Sequence, residues 1–485
     1  MENENLTDEE MEKELANRKS FKDKVAKIYS GRERDAETDR EKTTEAKEGS
    51  KENVEQNNED IQGKIEEIDL RIPQNEASPI SDSRAGEFPK DFLWGVSTSA
   101  YQIEGGNHND WSVWEKSEKR KRFLKKKKKD IGDFICGNSC DSYNRYKEDL
   151  DLVKGLGCNA YRFSLEWSRV QPKKGTWNVS VIEHYREQLK EAKGKGLKTV
   201  VTIWHWTNPI WIAEQGGWKN KRTVRYFVEY AKMVIRELDV YVDYWVTLNE
   251  PTVPLINGYF TRRFPPNKRS LIGMYKAMNN LAKAHNHTYK LIHKYFKTPT
   301  SIVVIANYYE PADKWNPVEI LLARIARYFG TTMFLRKIKG NFDFIGMDYY
   351  FHDRFVWYPP FKKNLNEKVT DMGWEIYPEG IYHVLKELSK YKKPIIICEN
   401  GIADAADKYR ADFIRDHLKY VYKAIEEGVD VQGYFHWSLL DNFEWDNGWA
   451  PQFGLYKVDR KTFDRTERKS AEVYREICKN NSIEL

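Results

Sequence analysis

From Phe88 onward the sequence alternates between short apolar runs and longer segments with a repeat near 3.6 residues. Eight runs read as strands: Phe92–Val96, Asn159–Ser164, Thr199–Trp204, Tyr244–Leu248, Ser301–Ala306, Phe342–Met347, Pro394–Cys398 and Val431–Trp437. Between them the periodicity predicts helices over Tyr143–Lys154, Val181–Lys195, Val224–Leu238, Leu271–Tyr295, Ile376–Tyr391 and Arg415–Gly428, the last stopping at a glycine. Runs such as Pro394-Ile-Ile-Ile-Cys398 are apolar throughout rather than alternating, as in a parallel strand buried on both faces. Eight such strands interleaved with helices over some 400 residues predict an α/β chain closed as a (β/α)8 barrel of the TIM type, in preference to an open doubly wound sheet. No dinucleotide or phosphate fingerprint follows the first strand, because Gly105-Gly106 lacks both the third glycine and the helix start. No internal repeat is visible.

Two of the runs end alike. Pro394–Cys398 stops at Glu399-Asn400-Gly401, and Asp243-Tyr-Trp-Val-Thr-Leu248 stops at Asn249-Glu250-Pro251. All strands of such a barrel open their C-terminal ends on one face, where chemistry is kept. That face is predicted to gather Gln102, Arg162, His205, Asn249, Glu250, Tyr350, Glu399, Trp437 and Glu444. Carboxylates, amides, an imidazole and aromatic rings suit a sugar, whose hydroxyls need polar partners and whose ring faces stack on Trp or Tyr. Cleaving a glycosidic bond requires a proton for the leaving oxygen and negative charge beneath the anomeric carbon. Two carboxyls in unlike environments, one protonated and one ionised, supply both. The plainer alternative, that Glu250 and Glu399 are structural ion-pair partners, fits either residue alone better than it fits both.

Composition narrows the rest. Sixteen tryptophans among 485 residues mostly serve the core, with a minority available to a site. No apolar run has membrane-spanning length, and the N-terminus lacks the apolar segment of a secretory signal. Five cysteines (136, 140, 158, 398, 478) are few and odd in number. Cys158 and Cys398 read as reduced core residues, and Cys136 and Cys140 lack a second ligand pair, which suggests a reducing cytoplasm and no metal. Residues 1–85 carry 24 acidic and 15 basic side chains with almost no aromatics, and are expected to be a disordered charged tail preceding a barrel over 86–485. The formal net charge is +6, so the barrel is strongly basic. Part of that charge lies in Lys116–Lys129, with five consecutive lysines, which reads as a solvated loop rather than a nucleic-acid or anionic-surface site.

The motifs resemble glycoside hydrolase family 1, the β-glucosidase and β-galactosidase family, from Phe88 to about Tyr474. The resemblance lies in Phe92-Leu-Trp-Gly-Val-Ser-Thr-Ser-Ala-Tyr-Gln-Ile-Glu-Gly105, in Tyr161-Arg-Phe-Ser-Leu-Glu-Trp-Ser-Arg169 with Pro172, and in Thr247-Leu-Asn-Glu-Pro251. It continues in Cys398-Glu-Asn-Gly401 and His436-Trp-Ser-Leu-Leu-Asp-Asn-Phe-Glu-Trp445. It implies a retaining β-glycosidase acting by double displacement. Glu399 is then the nucleophile and Glu250 the acid/base, with carboxyls roughly 5–5.5 Å apart. Asn249 holds the 2-hydroxyl; Gln102, His205 and Glu444 bind the outer hydroxyls; Trp437 and Trp445 face the ring. Tyr350 and Arg162 flank Glu399 and keep it ionised, although Arg162 also fits a buried structural ion pair and His205 a satisfied core histidine. The partner implied is a small-molecule β-glycoside or oligosaccharide. No cofactor, metal, nucleic acid or membrane is implied, and oligomeric state is not assigned.

The sequence departs from the family pattern in places. Asp348 stands where Asn is usual before Tyr349-Tyr350, and, if ionised, would raise the pKa of Glu399. Thr207-Asn208 replaces the usual Asp-Leu, Cys398 the usual Thr, and the stretch between the two glutamates is short, implying a more open leaving-group side. A 6-phospho-β-glycosidase branch usually has Ser at the position of Glu444 and Lys and Tyr where Pro451 and Phe453 stand, so unphosphorylated glycosides are favoured. A catalytically weakened sugar-binding relative is the other alternative. Transglycosylation shares the covalent intermediate and is not distinguished.

Overall fold

The apolar runs form the staves of a closed parallel barrel in a computed structural model that describes residues 85–485. The expected charged tail, Ala85 apart, lies outside the described residues. The staves are β1 (Leu93–Ser97), β2 (Ala160–Ser164), β3 (Lys198–Trp204), β4 (Tyr244–Asn249), β5 (Thr300–Ile305), β6 (Ile345–Tyr349), β7 (Ile395–Asn400) and β8 (Val431–Trp437). Each pairs with its sequence neighbours, and β8 closes on β1 with Gly433 opposite Leu93 and Trp437 opposite Ser97. Leu93, Ala160, Val200, Val246, Val303, Ile396 and Phe435 fill the barrel interior. Burying each branched side chain of this kind contributes roughly 1.5–3 kcal/mol, so the barrel floor is a packed core and not a pore.

Eight longer helices follow the staves: α1 (Ser142–Gly155), α2 (Val179–Gly194), α3 (Arg222–Leu238), α4 (Leu271–Tyr295), α5 (Pro317–Arg327), α6 (Glu379–Leu388), α7 (Arg410–Glu426) and α8 (Lys469–Asn480). α3 shows why they form. Phe227, Tyr230, Ala231, Val234, Ile235 and Leu238 recur at three- and four-residue spacing and are all buried. At the start of α4 the Ser270 hydroxyl accepts from the Gly273 amide at 2.9 Å and caps the helix. The strand Ala85–Glu87 pairs with Ser482–Glu484, tying the described N-terminus to the C-terminus.

Three features differ from the sequence expectation. β6 starts at Ile345, three residues late, because Phe342 and Phe344 are buried below the paired part of the stave. Lys116–Lys129 is mostly a helix, Glu118–Lys126, and not a loop. The Ser117 hydroxyl accepts from the Arg120 amide, and Arg120 and Leu124, one turn apart, are buried while the lysines stay in solvent. A ledge of α5 and three short strands (Tyr308–Pro311, His352–Phe355, Lys362–Lys363) was not expected from the pattern. It is held by polar contacts rather than periodicity, including Arg354 with Glu310 at 2.7 Å and His352 with Glu375 at 2.8 Å. All five cysteines are unpaired and buried. Among the described residues no helix is long and apolar enough to cross a membrane.

Candidate active site

The C-terminal ends of the staves surround a cavity of about 430 Å3. Gln102, His205, Glu250, Tyr350, Glu399, Trp437, Glu444 and Trp445 all line it. Arg162, Asn249 and Asp348 are fully buried just beneath, on β2, β4 and β6. Local backbone geometry aims several of these groups. Glu250 has φ +38° between the end of β4 and the helix Thr252–Tyr259, with its amide donating to Val303 O at 2.8 Å. Trp206 and Trp445 also adopt left-handed backbone, a conformation costly for non-glycine residues and concentrated at functional sites. After Glu399-Asn400 a glycine is required, because a Cβ on Gly401 would lie 1.7 Å from Trp437 O.

Glu399 at the end of β7 receives two donors. Arg162 Nη1 donates to Oε1 at 2.5 Å, and the Tyr350 hydroxyl donates to Oε2 at 2.7 Å. Burial works against the Arg162 charge, but the Glu399 carboxylate holds its pKa above the ordinary arginine value. Arg162 Nη2 also donates to Asn249 Oδ1 at 2.6 Å. That contact orients the Asn249 amide so that its Nδ2 donates to His205 Nε2 at 3.2 Å. Burial, helped by the Arg162 charge, pushes His205 well below its usual pKa, so the ring is neutral. With Nε2 accepting, the proton sits on Nδ1, a buried atom with no protein partner on a residue that lines the cavity.

The second carboxyl differs. Burial, then the charge of Glu399, push Glu250 well above the usual carboxylate range, and its Oε1 has no donor. Asp348, opposite Glu399 in the β6–β7 register, is pushed the same way by burial, then by Glu399 and Glu250. Neither Asp348 oxygen meets an N–H or hydroxyl donor, and its contact with Glu250 requires a proton on at least one of the two carboxyls. Burial and the two neighbouring carboxyls together push Asp348 toward its neutral form, the alternative to the ionised state that would add negative charge near Glu399. Glu444 is raised to about 8 by burial and then by Glu399. Gln102 links this end of the site to β1. It accepts from the Ser99 hydroxyl at 2.6 Å and donates to Asn442 Oδ1 at 2.9 Å, Phe443 O at 3.0 Å and Glu444 at 3.4 Å.

Comparison with known proteins fits this geometry. The sequence model of Glycosyl hydrolase family 1 matches residues 84–350 and 331–483. The chain belongs to glycosyl hydrolase family 1. It is 34% identical over 447 residues to beta-glucosidase A of Thermotoga maritima, spanning 82% of this chain and 99% of that protein. It is 29% identical over 506 residues to a beta-galactosidase of Pyrococcus woesei, spanning 82% and 98%. Among solved structures, a beta-glycosidase from Pyrococcus horikoshii superposes with TM-score 0.75 at 37% identity, covering 83% of this chain and 97% of that one. A beta-glucosidase from Thermotoga maritima in complex with glucoimidazole gives 0.75 at 31%, covering 82% and 99%. The chain is thus a glycoside hydrolase of a retaining β-glycosidase family.

Family membership leaves several site residues that sequence reasoning passed over. Asn307, two residues past β5, accepts from the Tyr350 and Phe351 amides at 3.1 Å, which fixes the residue that touches Glu399. The strand-end rule applied to β5 would have found it. Trp374 and Phe453 pack around Tyr350, and no strand pattern marks Trp374 because it lies in a loop. Arg263 Nε pairs with Asp446 at 2.6 Å on the cavity rim. Trp445, expected against the sugar ring, is itself stacked among Trp206, Trp111, Tyr101 and His205. No group of His, Cys, Asp and Glu among the described residues is arranged to hold a metal ion.

Proposed function

We propose that Glu399 is the nucleophile and Glu250 the acid/base of a β-glycosidase acting on unphosphorylated β-glucosides or β-galactosides. The observation that carries this reading is the contrast between the two carboxyls in one cavity. Glu399 accepts from two donors, while Glu250 holds its proton. In the first step a Glu399 oxygen bonds to the anomeric carbon as the glycosidic C–O bond breaks, and Glu250 gives its proton to the departing oxygen. In the second, Glu250, now a carboxylate, takes a proton from water, whose oxygen displaces Glu399. The β configuration is retained. His205 Nδ1–H, the Gln102 amide and Glu444 reach outer hydroxyls, Asn249 the 2-hydroxyl, and Trp437 and Trp445 wall the ring. Asp348 keeps a neutral hydrogen bond on Glu250.

Several features support unphosphorylated substrates. Pro451 and Phe453 offer no cation, and the cavity's own Arg263 is engaged by Asp446. Glu444 near pKa 8 is mostly protonated at pH 7, so its proposed role rests on the hydroxyls it hydrogen-bonds as much as on charge. The relatives named as beta-glucosidase and beta-galactosidase, and the glucoimidazole complex of one of them, agree with a small sugar as partner. We further propose that residues 86–485 are the catalytic domain and that the protein works in the cytoplasm, a reading supported by five unpaired cysteines.

A panel of nitrophenyl glycosides tests this. Turnover of β-glucoside or β-galactoside is expected to exceed that of α-anomers and 6-phospho forms. Glu399→Gln should lower kcat at least about a thousandfold. Glu250→Ala should be partly rescued by azide, giving a β-glycosyl azide. Preferential hydrolysis of phosphorylated substrates would overturn the assignment of Glu444.

A further inference from the structure

α5 is built inside out. It buries Glu319 and Ala323, while Val318, Leu321 and Ile325, spaced as one stripe, are 50%, 56% and 44% exposed. Its buried Glu319 is satisfied, accepting from the Asp313 amide at 2.7 Å and the Trp357 amide at 3.1 Å, so the orientation is fixed. The stripe does not stand alone. Trp315 before it is 86% exposed, and Trp357, in the chain bonded to Glu319, is 60% exposed. The π-helical turn Tyr328–Thr332 carries the apolar surface on, and Gly330 accepts from the Thr252 hydroxyl at 3.4 Å. Thr252 and Gly330 line the catalytic cavity, as does the exposed Ile256. Tyr328 and Phe329 of the turn are 40% and 46% exposed, so the apolar surface runs up to residues that line the cavity.

Charge surrounds this surface. Segments 256–276, 313–329 and 356–368 expose ten basic residues and two acidic ones, Asp313 and Glu367. Of these bases Arg263 and Lys362 are held by Asp446 and Asp353. The lysine-rich helix Glu118–Lys126 reaches the same mouth, because Arg120 Nη2 donates to the backbone carbonyl of Asp446, a cavity residue, at 2.6 Å. That helix exposes Phe123 and leads into Lys127–Lys129.

We propose that this rim is a docking surface for an anionic lipid bilayer, seating the open end of the barrel on the membrane. Exposed tryptophans beside aliphatic side chains, fringed by lysine and arginine, match the chemistry of the headgroup boundary. A second copy docked face to face would set the basic fringe against itself. Nucleic acid would satisfy the lysines and leave the aliphatic stripe in water. No spanning segment is needed, so the surface is compatible with the absence of a membrane-crossing helix among the described residues.

Co-sedimentation of the full chain with vesicles tests the proposal. Vesicles of equal phosphatidylglycerol and phosphatidylcholine should bind it, and pure phosphatidylcholine should bind it at least about tenfold more weakly. Leu321→Glu with Ile325→Glu, and separately Lys362→Glu with Lys363→Glu, should each lower partitioning to anionic vesicles about tenfold. Both variants should keep wild-type melting temperature, which shows that they fold. Failure of the wild type to bind anionic vesicles would overturn the proposal. So would partitioning unchanged in both folded variants, binding of an oligonucleotide but not of vesicles, or a dimer by light scattering that Leu321→Glu with Ile325→Glu converts to monomer.

Discussion

Asp348, Glu250 and Glu444 are three carboxyls around Glu399, and their protons set the chemistry. If Asp348 is neutral, Asp348→Asn replaces one uncharged group by another of the same shape. Its kcat/KM at pH 6–7 should stay within about threefold of wild type, and a tenfold change would show that Asp348 carries charge. On the proposed mechanism Glu250 must be protonated for the first step. Because its folded pKa is raised, the acid form persists above the usual carboxylate range, and activity should fall as pH rises through that folded value. Glu444 makes a stability prediction. Its pKa rises from 4.5 to about 8 on folding, so the folded state binds more protons than the unfolded state between those values. Its contribution is therefore present at low pH and lost as pH rises through the folded pKa. Glu444→Gln removes the cost of the buried charge and should raise the melting temperature at pH 9 by a few degrees and by much less at pH 5, while lowering kcat/KM at least about tenfold.

Stave ends decide where these side chains go. Gly401→Ala places a Cβ on Trp437 O and must push β7 from β8 or turn Glu399 aside. A loss of at least about a hundredfold in kcat is expected, with a lower melting temperature, measured by steady-state kinetics and calorimetry. The staves themselves were legible because uninterrupted runs such as Ile395-Ile-Ile belong to a parallel sheet, and a glutamate beside an asparagine at two run ends pointed to the cavity. The ledge was not legible, since His352–Phe355 has no apolar alternation and stands on ion pairs with residues distant in sequence. α5 misled for a related reason. Its apolar stripe faces solvent, so a periodicity rule that assumes a buried apolar face assigns it no place. The lysine-rich helix hid because two anchors, Arg120 and Leu124, suffice to hold it. The state of Asp348 was unreadable in sequence, since it depends on three carboxyls brought together from β4, β6 and β7.

At the scale of the whole molecule, one closed barrel with its ends tied by Ala85–Glu87 and Ser482–Glu484 should be an independent unit. A chain beginning at Ala85 is expected to keep the melting temperature and kcat/KM of the full chain within about twofold, checked by calorimetry and nitrophenyl glycoside turnover. A large loss would place catalytic or stabilising contacts in residues 1–84. On the proposed mechanism the barrel brings one carboxylate and one carboxylic acid, at the ends of β7 and β4, to the same sugar. A 2-deoxy-2-fluoro-β-glucoside with a dinitrophenyl leaving group slows the second step more than the first and allows the intermediate to be trapped. Peptide mass spectrometry of the inactivated enzyme should find the fluoroglucosyl group on Glu399 alone; a label on Glu250 or Asp348, or inactivation with no label, would contradict the mechanism.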